Sequence, residues 1–147
     1  MNRSRKVRMG LRLAMIACEV MVREVSSLIA QSEHIVSVRW MKQGLHDNPS
    51  MLNRMLKEKI AEIEAQNEQM STDKKFDAIV LGYGLCSNGV VGIGSETLPL
   101  VIPKCDDCIA LFLGSQSRYL ELFHQYKGIY WYTPGWIERA FTPSPES

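Results

Sequence analysis

The chain has almost no excess of either charge. Seventeen Lys and Arg stand against sixteen Asp and Glu, a formal net charge of +1 over 147 residues. Nucleic-acid binding needs a strong basic excess on one face, so that class is set aside. Arg3, Arg5, Lys6, Arg8 and Arg12 do gather at the start, where they read as a solvated leader rather than a binding arm. Also lacking is any apolar run of the ~18 to 20 residues that a membrane-crossing helix needs. The stretch Leu11 to Cys18 loosely resembles a bacterial lipoprotein signal, in which Cys18 would carry lipid. Arg12 interrupts that short run, and a helical pattern rather than a polar tether follows Cys18, so the stretch is read as a strand. A cytoplasmic protein is expected, with neither membrane nor nucleic acid as a partner. Two nucleotide signatures are missing as well: the Gly-rich stretch has neither the Lys-Ser/Thr of a P-loop nor G-x-G-x-x-G spacing. Only one C-x-x-C pair is present, Cys105 and Cys108, where a zinc ribbon needs two. Disulfides are not expected of the four cysteines in a reducing compartment, which leaves metal binding, catalysis or inert burial.

What is present reads as a globular α/β chain. The sequence is 46% hydrophobic and 22% charged, enough for one domain with a real core. Apolar runs predict strands at Leu11–Ala17, Ile35–Trp40, Phe76–Leu81, Leu98–Ile102 and Ile129–Tyr132. Between them, apolar residues at helical spacing predict helices over Glu19–Gln31, from Pro49 to about Asn67, over Ile109–Leu113 and over Gln116–Tyr126. Asn48 and Ser115 are in position to cap, Pro49 suits a first helical turn, and Gly114 breaks the chain between the last two helices. The expected organisation is a basic leader over 1–10, one domain over 11–140 and a disordered tail over 141–147. Alternation of strand and helix predicts a flavodoxin-like (Rossmann-like) parallel sheet of about five strands with helices on both faces.

In such a sheet ligands bind outside the carboxyl ends of the strands. Cys18 follows the first predicted strand, Cys86 the third, and Cys105 and Cys108 the fourth. The first, third and fourth strands are neighbours in a flavodoxin-like order, so Cys18, Cys86 and Cys108 are expected to meet at one edge. Cys108 ranks above Cys105 because it is nearer a helix start. Helix N-termini and open backbone N–H groups are expected to lower these thiols' pKa values and favour the thiolate. His46, after the second strand, is a candidate ligand or proton carrier at the same edge. Gly82, Tyr83, Gly84, Asn88 and Gly89 form a segment that could cradle a cofactor. Trp131, Tyr132 and Trp136 read as core and rim packing, and His34 and His124 as surface residues.

These motifs together resemble a known family. Ile16-Ala17-Cys18, Leu45-His46 with Pro49, Gly82-Tyr83-Gly84-Leu85-Cys86 with Asn88-Gly89, Asp107-Cys108, and Tyr132-Thr133-Pro134-Gly135-Trp136-Ile137-Glu138 are similar to the "domain of unknown function 1638" family. The resemblance spans about Leu11 to Glu138. It implies three functional cysteines matching Cys18, Cys86 and Cys108 and a histidine matching His46, with no counterpart for Cys105. It also implies anaerobic archaeal or bacterial metabolism, often beside corrinoid-dependent methyl transfer. Members of that family continue past the Pro-Gly-Trp segment, so an open site, or one completed by a partner, is expected here.

Three functions are carried forward. The first is a metal site or iron–sulfur cluster on Cys18, Cys86 and Cys108 with one open position, zinc being the alternative to the cluster. The second is a metal-free cysteine nucleophile or sulfur carrier with His46 as acid or base. The third is a non-enzymatic accessory to a methyltransferase or corrinoid protein, or a homo-oligomer. The corrinoid motif D-x-H-x-x-G is absent, which speaks against direct corrinoid binding of that type.

Overall fold

The computed structural model describes residues 10–139. The expected tail over 141–147 and the leader, apart from Gly10, lie outside the described residues.

The order of elements is β1 (Arg12–Cys18), a 3-10 turn (Glu19–Met21), α1 (Val22–Gln31), β2 (Ile35–Met41), a second 3-10 turn (Leu45–Asp47) and α2 (Pro49–Gln69). Then come β3 (Ala78–Gly82), β4 (Leu100–Val101), α3 (Cys108–Leu113), α4 (Gln116–Gln125) and α5 (Pro134–Arg139). The caps act as the sequence predicts. Asn48 accepts from the Met51 N–H at 3.0 Å, and Ser115 accepts from the Arg118 N–H at 3.2 Å. Each satisfies a backbone donor that the first helical turn would otherwise leave unpaired.

The strands form one parallel sheet in the order β2-β1-β3-β4. β1 is central, matching Ala14 to Ser37 on one side and to Ile79 on the other. Ala14, Ile16, Ile79 and Leu81 are fully buried, as are Leu52 and Leu56 of α2, with Ile60 and Ile63 nearly so. Burial of a side chain of this size contributes about 1.5–3 kcal/mol. The helix α2 and the central strands therefore carry much of the core.

The sheet has four strands among the described residues, not five. The segment Ile129–Tyr132 is outside the sheet. Its expected neighbour, β4, is only two residues long, and Pro103 follows with no N–H to extend a ladder. Within it the rings of Tyr130 and Tyr132, two residues apart, lie 4.9 Å from each other, tilted by 47°. Its Trp131 ring instead lies 6.2 Å from that of Tyr119 on α4. The helix α5 was not expected either, although Thr133-Pro134 is a helix start in sequence. Thr133 Oγ1 accepts from the Trp136 N–H at 3.2 Å. α5 packs on the turn after β1, and a Cβ at Gly135 would stand 1.8 Å from the Val20 carbonyl oxygen.

Candidate functional site

Strand order creates the site. The chain leaves β1 toward β2 on one side and leaves β3 toward β4 on the other. The crevice between the carboxyl ends of β1 and β3 is where open parallel sheets bind ligands. Cys18 is the last residue of β1 and Cys86 lies four residues beyond β3. Both are buried, at 8% and 7% exposure. Cys108 is the first residue of α3. All three line one cavity of about 480 Å³, together with Tyr83 and His46.

Two local devices bring Cys86 and Cys108 together. The loop after β3 runs against the loop after β4, with the Leu85 N–H donating to the Cys105 carbonyl at 2.8 Å and the Cys86 N–H to the Asp106 carbonyl at 2.9 Å. Gly84 permits this approach, since a Cβ there would stand 2.7 Å from the Asp107 backbone. The second device is a left-handed turn. Cys86, Ser87 and Asn88 have φ of 46°, 54° and 69°, a conformation that costs an L-residue about 1–2 kcal/mol. The chain just beyond these three residues is held from α2. Asn53 Nδ2 donates to the carbonyls of Gly89 and Val91, at 3.0 and 2.8 Å. Strain of this kind gathers at functional sites.

The thiols differ from expectation in one respect. Burial, not helix-end charge, dominates them, and it pushes all three up, Cys86 to about 11 and Cys108 to about 12. Val20 N–H faces the Cys18 sulfur, Gly84 N–H the Cys86 sulfur, and the Cys108 N–H its own sulfur. These contacts oppose the rise without cancelling it, because a single N–H stabilises a thiolate by less than burial destabilises it. Burial also drives the Tyr83 hydroxyl up, and after it Cys18, Cys86 and Cys108 act in the same direction. That hydroxyl is buried against the Cys18 thiol, in a contact that falls short of a full hydrogen bond, and no nitrogen or oxygen satisfies it.

A labelling experiment follows from these values. With a pKa of about 11, roughly one thiol in 10⁴ is ionised at pH 7, and the thiolate is the reactive species. Folded, metal-free protein is expected to alkylate slowly at Cys86 and Cys108 with iodoacetamide at pH 7. The rate should rise about tenfold per pH unit toward pH 10 and jump on unfolding. Peptide mass spectrometry would read it, and fast labelling at neutral pH would show an activation that these surroundings do not provide.

The remaining expected residues divide. Cys105 lines a different hollow, with Leu85, Ile102 and Leu120. His46 Nε2 lies 3.3 Å from Asp47 Oδ1, and its ring is 6.2 Å from that of Trp136. Of the cradle, Tyr83 alone lines the cavity. The Cβ positions of Gly82 and Gly89 abut Ala17 and Leu52, so these two glycines serve chain packing. Trp131 and Trp136 do form cavity wall, and Tyr132 does not. His34 accepts from the Leu11 N–H at 3.2 Å, and His124 meets Phe123 edge-on. Lys42, Asp106, Phe112 and Tyr130 also line the cavity and were not anticipated. Asp107 Oδ1 accepts from the Ile109 and Ala110 N–H groups, and its Oδ2 from the Tyr119 hydroxyl.

Among the described residues no group of three or more His, Cys, Asp or Glu side chains is drawn up to hold a metal ion. The donor chemistry nonetheless suits a soft cation: three thiols on one cavity, each with a backbone N–H, and an unsatisfied hydroxyl among them. No described helix is long and apolar enough to cross a membrane. No curated protein and no solved structure matches the chain. Residues 40–144 do match a family described as protein of unknown function (DUF1638), a stretch that includes His46, Cys86 and Cys108 and begins after Cys18. The match spans more than half of the sequence, and the chain belongs to that family.

Proposed function

We propose that the protein binds a thiolate-preferring metal, as an iron–sulfur cluster or as zinc, through Cys18, Cys86 and Cys108. The sheet is read as flavodoxin-like, with right-handed crossovers placing α1 and α2 on opposite faces. The observation that carries the proposal is the convergence of three thiols, Cys18 and Cys86 buried and Cys108 half-buried, from three separate segments on one cavity, with Cys105 left outside it. Mutually repelling, desolvated thiolates are unfavourable alone and favourable around a cation, which reverses the local pKa order. Such a centre would supply Lewis-acid or redox chemistry, and three protein ligands would leave a fourth position open. Tyr83 is placed to give its unsatisfied O–H to a sulfur that has become a thiolate, the kind of outer contact that tunes metal sites.

The metal-free nucleophile with His46 as acid or base is the weaker reading. Burial holds the thiols protonated, and the contacts of His46 are with Asp47 and Trp136. The proposal includes a cytoplasmic setting in anaerobic metabolism. It also includes a methyltransferase or corrinoid protein, or a second copy of the chain, to complete the open position.

The test is anaerobic metal uptake. Protein reconstituted with iron and sulfide, or with zinc, is desalted and analysed for metal per chain. Cys18→Ser, Cys86→Ser and Cys108→Ser are each expected to weaken retention by about 100-fold, and Cys105→Ser to leave it unchanged. No uptake by the parent protein, or equal loss in Cys105→Ser, would overturn the proposal.

A further inference from the structure

The cavity is larger than three sulfurs and one ion require. At about 480 Å³ it falls in the range of pockets that take small organic molecules. A water's share of liquid volume is about 30 Å³, so a single ion on the cysteine side leaves most of the space open.

Its lining is chemically divided. The cysteines come from the ends of β1 and β3 and the start of α3. Phe112, Tyr130, Trp131 and Trp136 contribute aromatic rings. Such rings favour a flat or apolar body over a strongly hydrated one.

The charges decide what that body carries. The two acidic groups on the cavity among the described residues, Asp106 and Asp107, accept hydrogen bonds from neutral donors, which occupy carboxylate oxygens without cancelling their charge. Asp107 caps α3 and accepts from Tyr119, and Asp106 Oδ2 accepts from Gln116 Nε2 at 2.7 Å. Lys42 also lines the cavity, is exposed, and has no carboxylate at ion-pair distance among the described residues. Among the described residues it is the one Lys or Arg side chain on the cavity, and no ion pair there commits its charge.

We infer that the cavity binds a small organic anion, with its apolar or aromatic body against the aromatic rings and its carboxylate-like group at Lys42. The inference goes beyond the metal proposal and does not need it, since the thiols take no part in holding the anion.

Calorimetric titration with 2-naphthoate, and with uncharged 2-naphthylmethanol as its partner probe, tests this. Naphthoate is expected to bind at one per chain and to weaken with added salt. Lys42→Gln should weaken naphthoate about fivefold and leave naphthylmethanol unchanged. Tyr130→Ala, at a position already 57% exposed, should weaken both. Both variants alter exposed side chains, so folding is expected to be retained. A protein with Cys18, Cys86 and Cys108 all changed to Ala should keep naphthoate within twofold while losing metal uptake, which separates the two readings. The inference is overturned if naphthoate does not bind, if the two probes bind alike, or if Lys42→Gln has no effect on naphthoate.

Discussion

Gly84→Ala is expected to lower the stability of the protein by about 2–4 kcal/mol and to open the cysteine site at the same time. The added Cβ would stand 2.7 Å from both the Cα and the N of Asp107, and 2.9 Å from its carbonyl carbon. All three neighbours are backbone atoms, so no side chain can rotate away. The loops after β3 and β4 must part. Parting them breaks the hydrogen bonds from Leu85 N–H to Cys105 and from Cys86 N–H to Asp106, which are worth about 1 kcal/mol each. For a chain of this length the melting temperature should fall by roughly 4–16 °C. Circular dichroism melts would measure the stability change. Iodoacetamide labelling of Cys86 and Cys108 would measure the opening and should accelerate in the native state. An alanine protein with parent stability and parent labelling would show that the loops do not depend on this contact.

Leu52→Ala is expected to cost about 3–5 kcal/mol, the range for deleting a fully buried leucine whose cavity cannot collapse. Leu52 is 0% exposed in the first turns of α2, so little can fill the space. The same side chain abuts Gly89, the residue that closes the left-handed turn by donating its N–H to the Cys86 carbonyl at 3.0 Å. The strained backbone of Cys86, Ser87 and Asn88 rests on this support and on Asn53. Urea denaturation should therefore show a large fall in midpoint. If the turn depends on the core, metal retention should also weaken under conditions where the variant is still mostly folded. Leu52→Met, which conserves volume, should cost less than about 1.5 kcal/mol and retain the site. A small effect of Leu52→Ala would mean that α2 is not the foundation of the turn.

Much of this protein was legible in its residues because the signals were local. Asn48-Pro49 and Gly114-Ser115 mark helix boundaries through backbone hydrogen bonding that each residue supplies itself. Apolar runs of the right length marked β1, β2 and β3, and alternation with helices implied parallel pairing. That pairing placed Cys18, Cys86 and Cys108 at one sheet edge. Failures came where a neighbour decided the outcome. Ile129–Tyr132 has the composition of a strand, but β4 is too short to pair with it, and its aromatic side chains found the cavity and α4 instead. The thiols sit near helix starts and N–H groups that favour ionisation, yet desolvation outweighs them.

The sequence by itself thus determined the α/β class, the parallel sheet, the helix caps and the strand ends from which Cys18, Cys86 and Cys108 come to line one cavity, since these follow from periodicity and connection rules. Only the tertiary structure decided that the sheet has four strands among the described residues, that burial raises the thiols' pKa values, that Lys42 and an aromatic wall share their cavity, and that Cys105 stands apart. Each of those depends on what packs against a residue from a distant part of the chain, and burial and close approach are properties of pairs that no single stretch of sequence contains.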